Sequence, residues 1–146
     1  MSVTYINTAL RRLVVSRAEG LCEYCLIHEA DTYVGCEVDH IVSEKHGGLT
    51  NEANLAYACF FCNRLKGSDL GSIFPQTGQL VRFFNPRVDR WVEHFVLDGL
   101  LIVPRSEVGV VTARVLDFNS VSRVLERQIL RAEGRFPSDA AMKRLQ

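Results

Sequence analysis

Apolar and polar positions follow different periods along this chain, and the period decides each expected element. Residues 7–19, NTALRRLVVSRAE, repeat Ala9, Leu10, Leu13, Val14 and Ala18 at helical spacing. Asn7 or Thr8 is the expected N-cap and Gly20 the stop. Arg11, Arg12 and Arg17 fall largely off the apolar face and read as a solvated surface. Residues 33–42, YVGCEVDHIV, alternate and are β-branched and aromatic, which predicts a strand. Ser43 to Thr50 is a polar loop punctuated by Gly47-Gly48. Leu55 to Phe60, LAYACF, returns as a second strand, and Cys62 to Lys66 starts a short helix that ends at Gly67. The predicted order is hairpin, then helix.

Beyond Gly71 the pattern changes. Between Ile73 and Val103 the turn signals Pro75, Gly78, Asn85-Pro86 and Gly99 separate the runs LVRFF, RWVEHFVL and LLIV, which predict small antiparallel strands. Residues 120–133 predict an amphipathic helix capped by Ser120 or Ser122 and stopped by Gly134, with Val121, Val124, Leu125, Ile129 and Leu130 as its apolar stripe. The tail after Pro137 is expected to fray. No internal repeat or low-complexity linker interrupts the chain. The expected fold class is α+β, in one domain spanning 1–146, with a core at 20–68 and an extension at 70–146 packed on it.

Composition changes this picture little. The 146 residues suffice for a real core without disulfides. Hydrophobic content of 47% and charged content of 23% are ordinary for a globular protein. No apolar run approaches a membrane span, and the opening MSVTYINTALRR lacks the apolar region of a secretory signal. The expectation is a cytoplasmic protein with no membrane partner. The net charge of zero argues against a large basic nucleic-acid surface. Yet of the basic residues only Lys45, Lys66 and Lys143 are Lys, and Arg is the better fork for phosphate oxygens.

The cysteines say more. Four of the five form two Cys-x-x-Cys pairs, Cys22/Cys25 and Cys59/Cys62, leaving Cys36 as a buried strand cysteine. Without an export signal a disulfide framework is disfavoured, and paired short-spaced cysteines read as zinc ligands. Two thiolates cannot complete a tetrahedron, so the two pairs are expected to share one structural Zn²⁺ that staples the segments together. A thiol-disulfide function would want the motif at a helix start after a strand, and Cys22 instead follows a Gly-terminated helix.

Between the cysteine pairs lies a dense polar set. Asp39 and Asn63 offer hard oxygen ligands of the kind that hold Mg²⁺ or Mn²⁺ beside a phosphate. His40 is the natural general base, because an unperturbed imidazole titrates near neutrality. On a regular strand it leaves the face opposite Asp39 unless the strand twists or bulges. Asn54 is placed to orient it by a hydrogen bond to the ring or its backbone.

The string Cys22-x-x-Cys25, Glu37-Val38-Asp39-His40-Ile41, Gly47-Gly48, Asn54-Leu55, Cys59-x-x-Cys62-Asn63 and Lys66-Gly67 resembles the HNH endonuclease family, in its zinc-stapled four-cysteine branch. The resemblance covers about residues 20–68. It implies a ββα-metal core in which Asp39 and Asn63 carry the catalytic divalent metal, His40 is the base and Asn54 orients it. Asn63 stands where the family often has His, giving a more oxygen-like site that favours Mg²⁺ or Mn²⁺. FNPRVDRWVEHF resembles, more loosely, an extension of some small bacterial HNH proteins and carries no catalytic residue. The implied function is hydrolysis of phosphodiester bonds, with DNA as the expected partner and RNA left open. Double-strand cutting from one site would call for a homodimer or two nicks. The alternative is a non-catalytic zinc module that binds nucleic acid or protein.

Other residues keep two readings at this stage. His46 lines the cleft and touches phosphate, or sits in a solvated turn. Arg64 and Lys66 contact phosphate, or form a polar helix face. His28 and His94 read as surface or strand histidines without a role. Phe83, Phe84, Trp91 and Phe95 read as core rather than as stacking platforms.

Overall fold

In the computed structural model, which describes residues 5–146, the chain divides into two units, Met1–Leu70 and Gly71–Gln146. Helix α1, Thr8–Ala18, opens the first unit. The Asn7 side chain accepts from the Leu10 N–H at 2.8 Å, the cap expected of that residue. The helix ends at Ala18, two residues before its glycine, with Glu19 itself left-handed at φ 53°. Val14 and Ala18 are fully buried against Ile6, Leu55 and Tyr57, while Leu13 is turned outward.

Strands β1 (Cys36–His40) and β2 (Leu55–Cys59) pair antiparallel, with Cys36 opposite Cys59, Asp39 opposite Ala56 and His40 opposite Leu55. Helix α2, Phe60–Lys66, follows β2 without a linker. This is the ββα order read from the sequence, on a strand shorter than the predicted 33–42 because Tyr33 and Val34 lie exposed outside the ladder. β2 is buried along its whole length, and α1 packs on it. Before β1, the Cys22–Ile27 segment folds into a knuckle. Cys22 N–H donates to Ile27 O at 2.8 Å and Leu26 N–H to Cys22 O at 2.9 Å. Leu26 sits at φ 66°, a costly conformation for a branched side chain. The knuckle is sewn to β2 twice: Glu23 N–H donates to Tyr57 O at 2.8 Å, and Tyr57 N–H to the Glu23 carboxylate at 2.9 Å.

The second unit contains two short hairpins and helices. β3 (Gly71–Ile73) pairs with β4 (Leu80–Arg82), and β5 (Phe95–Asp98) with β6 (Leu101–Pro104). RWVEHFVL, expected as one strand, instead makes a helical turn α3 (Trp91–His94) before β5. That turn brings the Trp91 and Phe95 rings to 5.1 Å, which strand spacing would hold far apart. Phe95 also meets Phe84 and Phe118, each at 5.5 Å, and these aromatics form the core as expected.

Helix α4, Glu107–Val115, was not predicted from the sequence, and its valines are β-branched residues with little helical preference. Ser106 caps it, accepting from Gly109 N–H at 2.9 Å. Helix α5, Val121–Ala132, buries Leu130 as expected but corrects most of the predicted stripe. Val121, Leu125 and Ile129 are exposed, while Arg123 and Arg127 are buried. The guanidiniums act as struts: Arg123 donates to Leu116 O at 2.7 Å, and Arg127 to Leu100 O at 2.7 Å and Asn119 Oδ1 at 3.0 Å. The tail expected to fray forms helix α6, Asp139–Arg144, because Phe136 and Ala141 are buried and Ser138 caps it. No helix among the described residues is long and apolar enough to cross a membrane.

Candidate active site

The knuckle and the end of β2 bring the cysteine pairs together. The sulfurs of Cys22, Cys25, Cys59 and Cys62 all lie within 4.8 Å of one another, buried. Cys25 Sγ and Cys59 Sγ are 3.7 Å apart. A tetrahedron with Zn–S bonds of about 2.3 Å has edges of about 3.8 Å, so the cluster has the dimensions of a zinc site. None of the five cysteines is in a disulfide. Burial pushes the Cys22 and Cys62 thiols well up, and their sulfur neighbours add to it at Cys22. Only a cation of high charge makes four adjacent buried thiolates favourable, and Zn²⁺ fits the donor set. Cys36 stays out of the cluster: half-buried on β1, its thiol is raised mainly by burial.

The polar set lies where β1 meets α2. A cleft of about 410 Å³ is bordered by Arg11, Glu37, Asp39, His40, Tyr57 and Asn63. A second, of about 320 Å³, is bordered by Glu37, Asp39, Phe60, Asn63 and Arg64. Glu37, Asp39 and Asn63 border both, so the oxygen donors stand between them. The β1–β2 ladder runs unbroken through Asp39 and His40, yet both residues border the larger cleft.

His40 is 2% exposed, and its Nε2 lies 2.8 Å from Thr50 Oγ1 and 3.9 Å from a Glu44 carboxylate oxygen. Its Nδ1 is buried and has no hydrogen-bond partner among the described residues. Asn54 does not bond the ring. Its side chain accepts from Val42 N–H at 2.9 Å and donates to Val42 O at 2.8 Å and Leu49 O at 2.9 Å, and its carbonyl accepts from Ile41 N–H at 2.9 Å. Asn54 therefore cinches the loop that follows His40, and that loop carries Thr50. Gly48 makes the closure fit: a Cβ there would stand 1.7 Å from Val42 O and 2.8 Å from Asn54 Nδ2.

On α2, Asn63 Nδ2 donates to Glu37 Oε2 at 3.0 Å. Arg64 is exposed beside the second cleft, its guanidinium 5.8 Å from the centre of the Phe60 ring. Lys66 turns inward at 3% exposure and donates to His40 O at 3.2 Å. Burial lowers its pKa against the pull of Asp39 and Asp69. Its ammonium thus ties α2 to the His40 backbone and is withdrawn from any phosphate. His46 is exposed in a short turn, Glu44–His46, and borders neither cleft. His28 Nδ1 caps the turn Glu29–Asp31, and His94 lies 2.6 Å from Ser106 Oγ in the second unit.

Sequence reasoning missed Thr50 and Glu37 as partners of the site. Both contacts depend on loop closure or on helix–strand packing, which no local periodicity reports.

No curated protein and no solved structure matches the chain. The family model for HNH endonuclease matches residues 22–69, about a third of the chain. The ββα order and the four-sulfur cluster agree with that match, and residues 22–69 are similar to the HNH endonuclease family, a nuclease family, with a cysteine cluster like that of its zinc-stapled branch.

Proposed function

We propose that the chain is a metal-dependent endonuclease that hydrolyses phosphodiester bonds of DNA, with His40 as general base. The observation that carries this reading is the buried imidazole on β1. Nε2 is engaged by Thr50, Nδ1 has no partner among the described residues, and the oxygen donors Asp39 and Asn63 border the same cleft. The Glu44 carboxylate near Nε2 only accepts, which favours the tautomer with the proton on Nε2 and the lone pair on Nδ1. Nδ1 would then take the proton of an attacking water. Asn54 shapes the loop that delivers Thr50, and Lys66 holds the His40 backbone from behind. Asp39 and Asn63 would hold Mg²⁺ or Mn²⁺, a donor set of hard oxygens that suits either ion. Bound there, the ion would polarise a phosphoryl oxygen and stabilise the leaving alkoxide. Arg64 and Arg11, which border the two clefts, would meet neighbouring phosphates.

The test is plasmid nicking with Mg²⁺ or Mn²⁺ by wild type and His40→Ala. The variant should lose about 10²–10⁴-fold in rate. Robust cleavage by His40→Ala would remove the assigned base. Salt-sensitive DNA binding with no cleavage under any divalent ion would instead identify a non-catalytic zinc module.

A further inference from the structure

We infer that Glu37 is a positioning residue for this centre: by accepting from Asn63 Nδ2 it leaves Oδ1 as the atom that Asn63 offers to a divalent cation. The inference rests on the reading of Asp39 and Asn63 as cation ligands.

An asparagine amide has one face that ligates and one that repels a cation, and the two differ only by rotation about its last bond. Left alone on an exposed helix, the group samples both. A carboxylate can only accept, so a Glu at hydrogen-bond distance selects one rotamer. Glu37 is that carboxylate, with Oε2 at 3.0 Å from Nδ2. Strand geometry supplies it, because Glu37 and Asp39 are two apart on β1 and leave the same face. Both residues, with Asn63, border both clefts. The bond joins groups 26 residues apart in sequence.

The contact is solvent-exposed, and an exposed hydrogen bond contributes little to stability. The hairpin and helix are already joined by the Cys59/Cys62 cluster and by Lys66. A structural account of the bond therefore predicts a change in thermal midpoint, and a positioning account predicts a change in cation affinity without one.

The experiment uses the zinc-loaded full chain and titrates Mn²⁺, following free Mn²⁺ by electron paramagnetic resonance, with plasmid nicking and thermal melts in parallel. Glu37→Ala should weaken Mn²⁺ binding about tenfold or more, as removal of an outer partner of a ligand typically does, at an unchanged thermal midpoint. Glu37→Gln, whose amide oxygen still accepts from Nδ2, should recover most of that loss. Asp39→Ala is the control for the underlying reading. If wild type binds no Mn²⁺, the ligand reading and the role of Glu37 both fall. If Asp39→Ala abolishes binding while Glu37→Ala matches wild type, Glu37 alone is refuted. If Glu37→Gln is as damaged as Glu37→Ala, the carboxylate charge matters rather than the orientation of Asn63, and the positioning role is overturned.

Discussion

Removing the metal from the four-cysteine cluster should unfold the first unit rather than merely silence it. All four sulfurs are buried within 4.8 Å of one another, and they join the knuckle at Cys22–Cys25 to the junction of β2 and α2. A hydrophobic cluster of the same unit joins Ile6, Val14 and Ala18 to Leu55 and Tyr57 on β2. Structural zinc contributes apparent free energies of about 10–16 kcal/mol in small zinc-dependent folds, as much as the roughly 5–15 kcal/mol that holds a typical domain. The knuckle also carries Leu26 at a left-handed φ, a conformation that persists only when its surroundings enforce it. Chelation, or Cys59→Ser, should therefore release the amide protons of Cys22, Glu23 and Tyr57, whose acceptors lie across the knuckle and on β2. Hydrogen exchange with far-UV circular dichroism measures this, and elemental analysis should give one zinc per chain. Metal-free protein that keeps those amides protected would refute the staple.

Two further outcomes follow from single contacts. Thr50→Val removes the hydroxyl at His40 Nε2 with little change of shape. It should slow nicking about tenfold or more and move the pH–rate profile while leaving Mn²⁺ affinity intact, and a wild-type profile would dismiss Thr50. In the second unit, burial acts to raise the Asp89 carboxyl, but Arg82 at 2.7 and 3.0 Å and the Asn85 N–H at 2.9 Å outweigh it and hold it below the usual range. A depressed folded pKa means that this stabilisation is complete above the unfolded value near 3.9 and is lost as pH falls through the folded one. Arg82 is half exposed, so solvent screening limits the pair to about 1 kcal/mol. Asp89→Asn should lower the thermal midpoint at neutral pH and flatten its decline below about pH 4; an unaltered acid slope would refute the assignment.

The elements of the first unit were legible because local signals agree there. Asn7 caps, Gly47-Gly48 turns, and Cys59-x-x-Cys62 closes a strand onto a helix. The second unit was less legible because its local signals conflict with its packing. The valines of α4 resemble a strand until Ser106 and a buried Thr112 make them a helix. The exposed stripe of α5 resembles a buried one until Arg123 and Arg127 find carbonyls to fill. Phe136 and Ala141, both buried, order a tail that Ser138 caps.

For the site, the sequence by itself determined the donor chemistry: four thiols at metal spacing, the oxygen donors Asp39 and Asn63, and the imidazole of His40 next to Asp39. Those identities limit which cations the donors suit, whatever the fold. Only the tertiary structure decided which atom of each residue is engaged. Asn54 reaches the loop and not the ring, Thr50 takes the imidazole instead, Lys66 turns inward, and Glu37 finds Asn63. The physical reason is range. A ligand type is a property of one residue, whereas a hydrogen-bond partner 10 or 26 residues away is fixed only when loop, strand and helix have closed on one another.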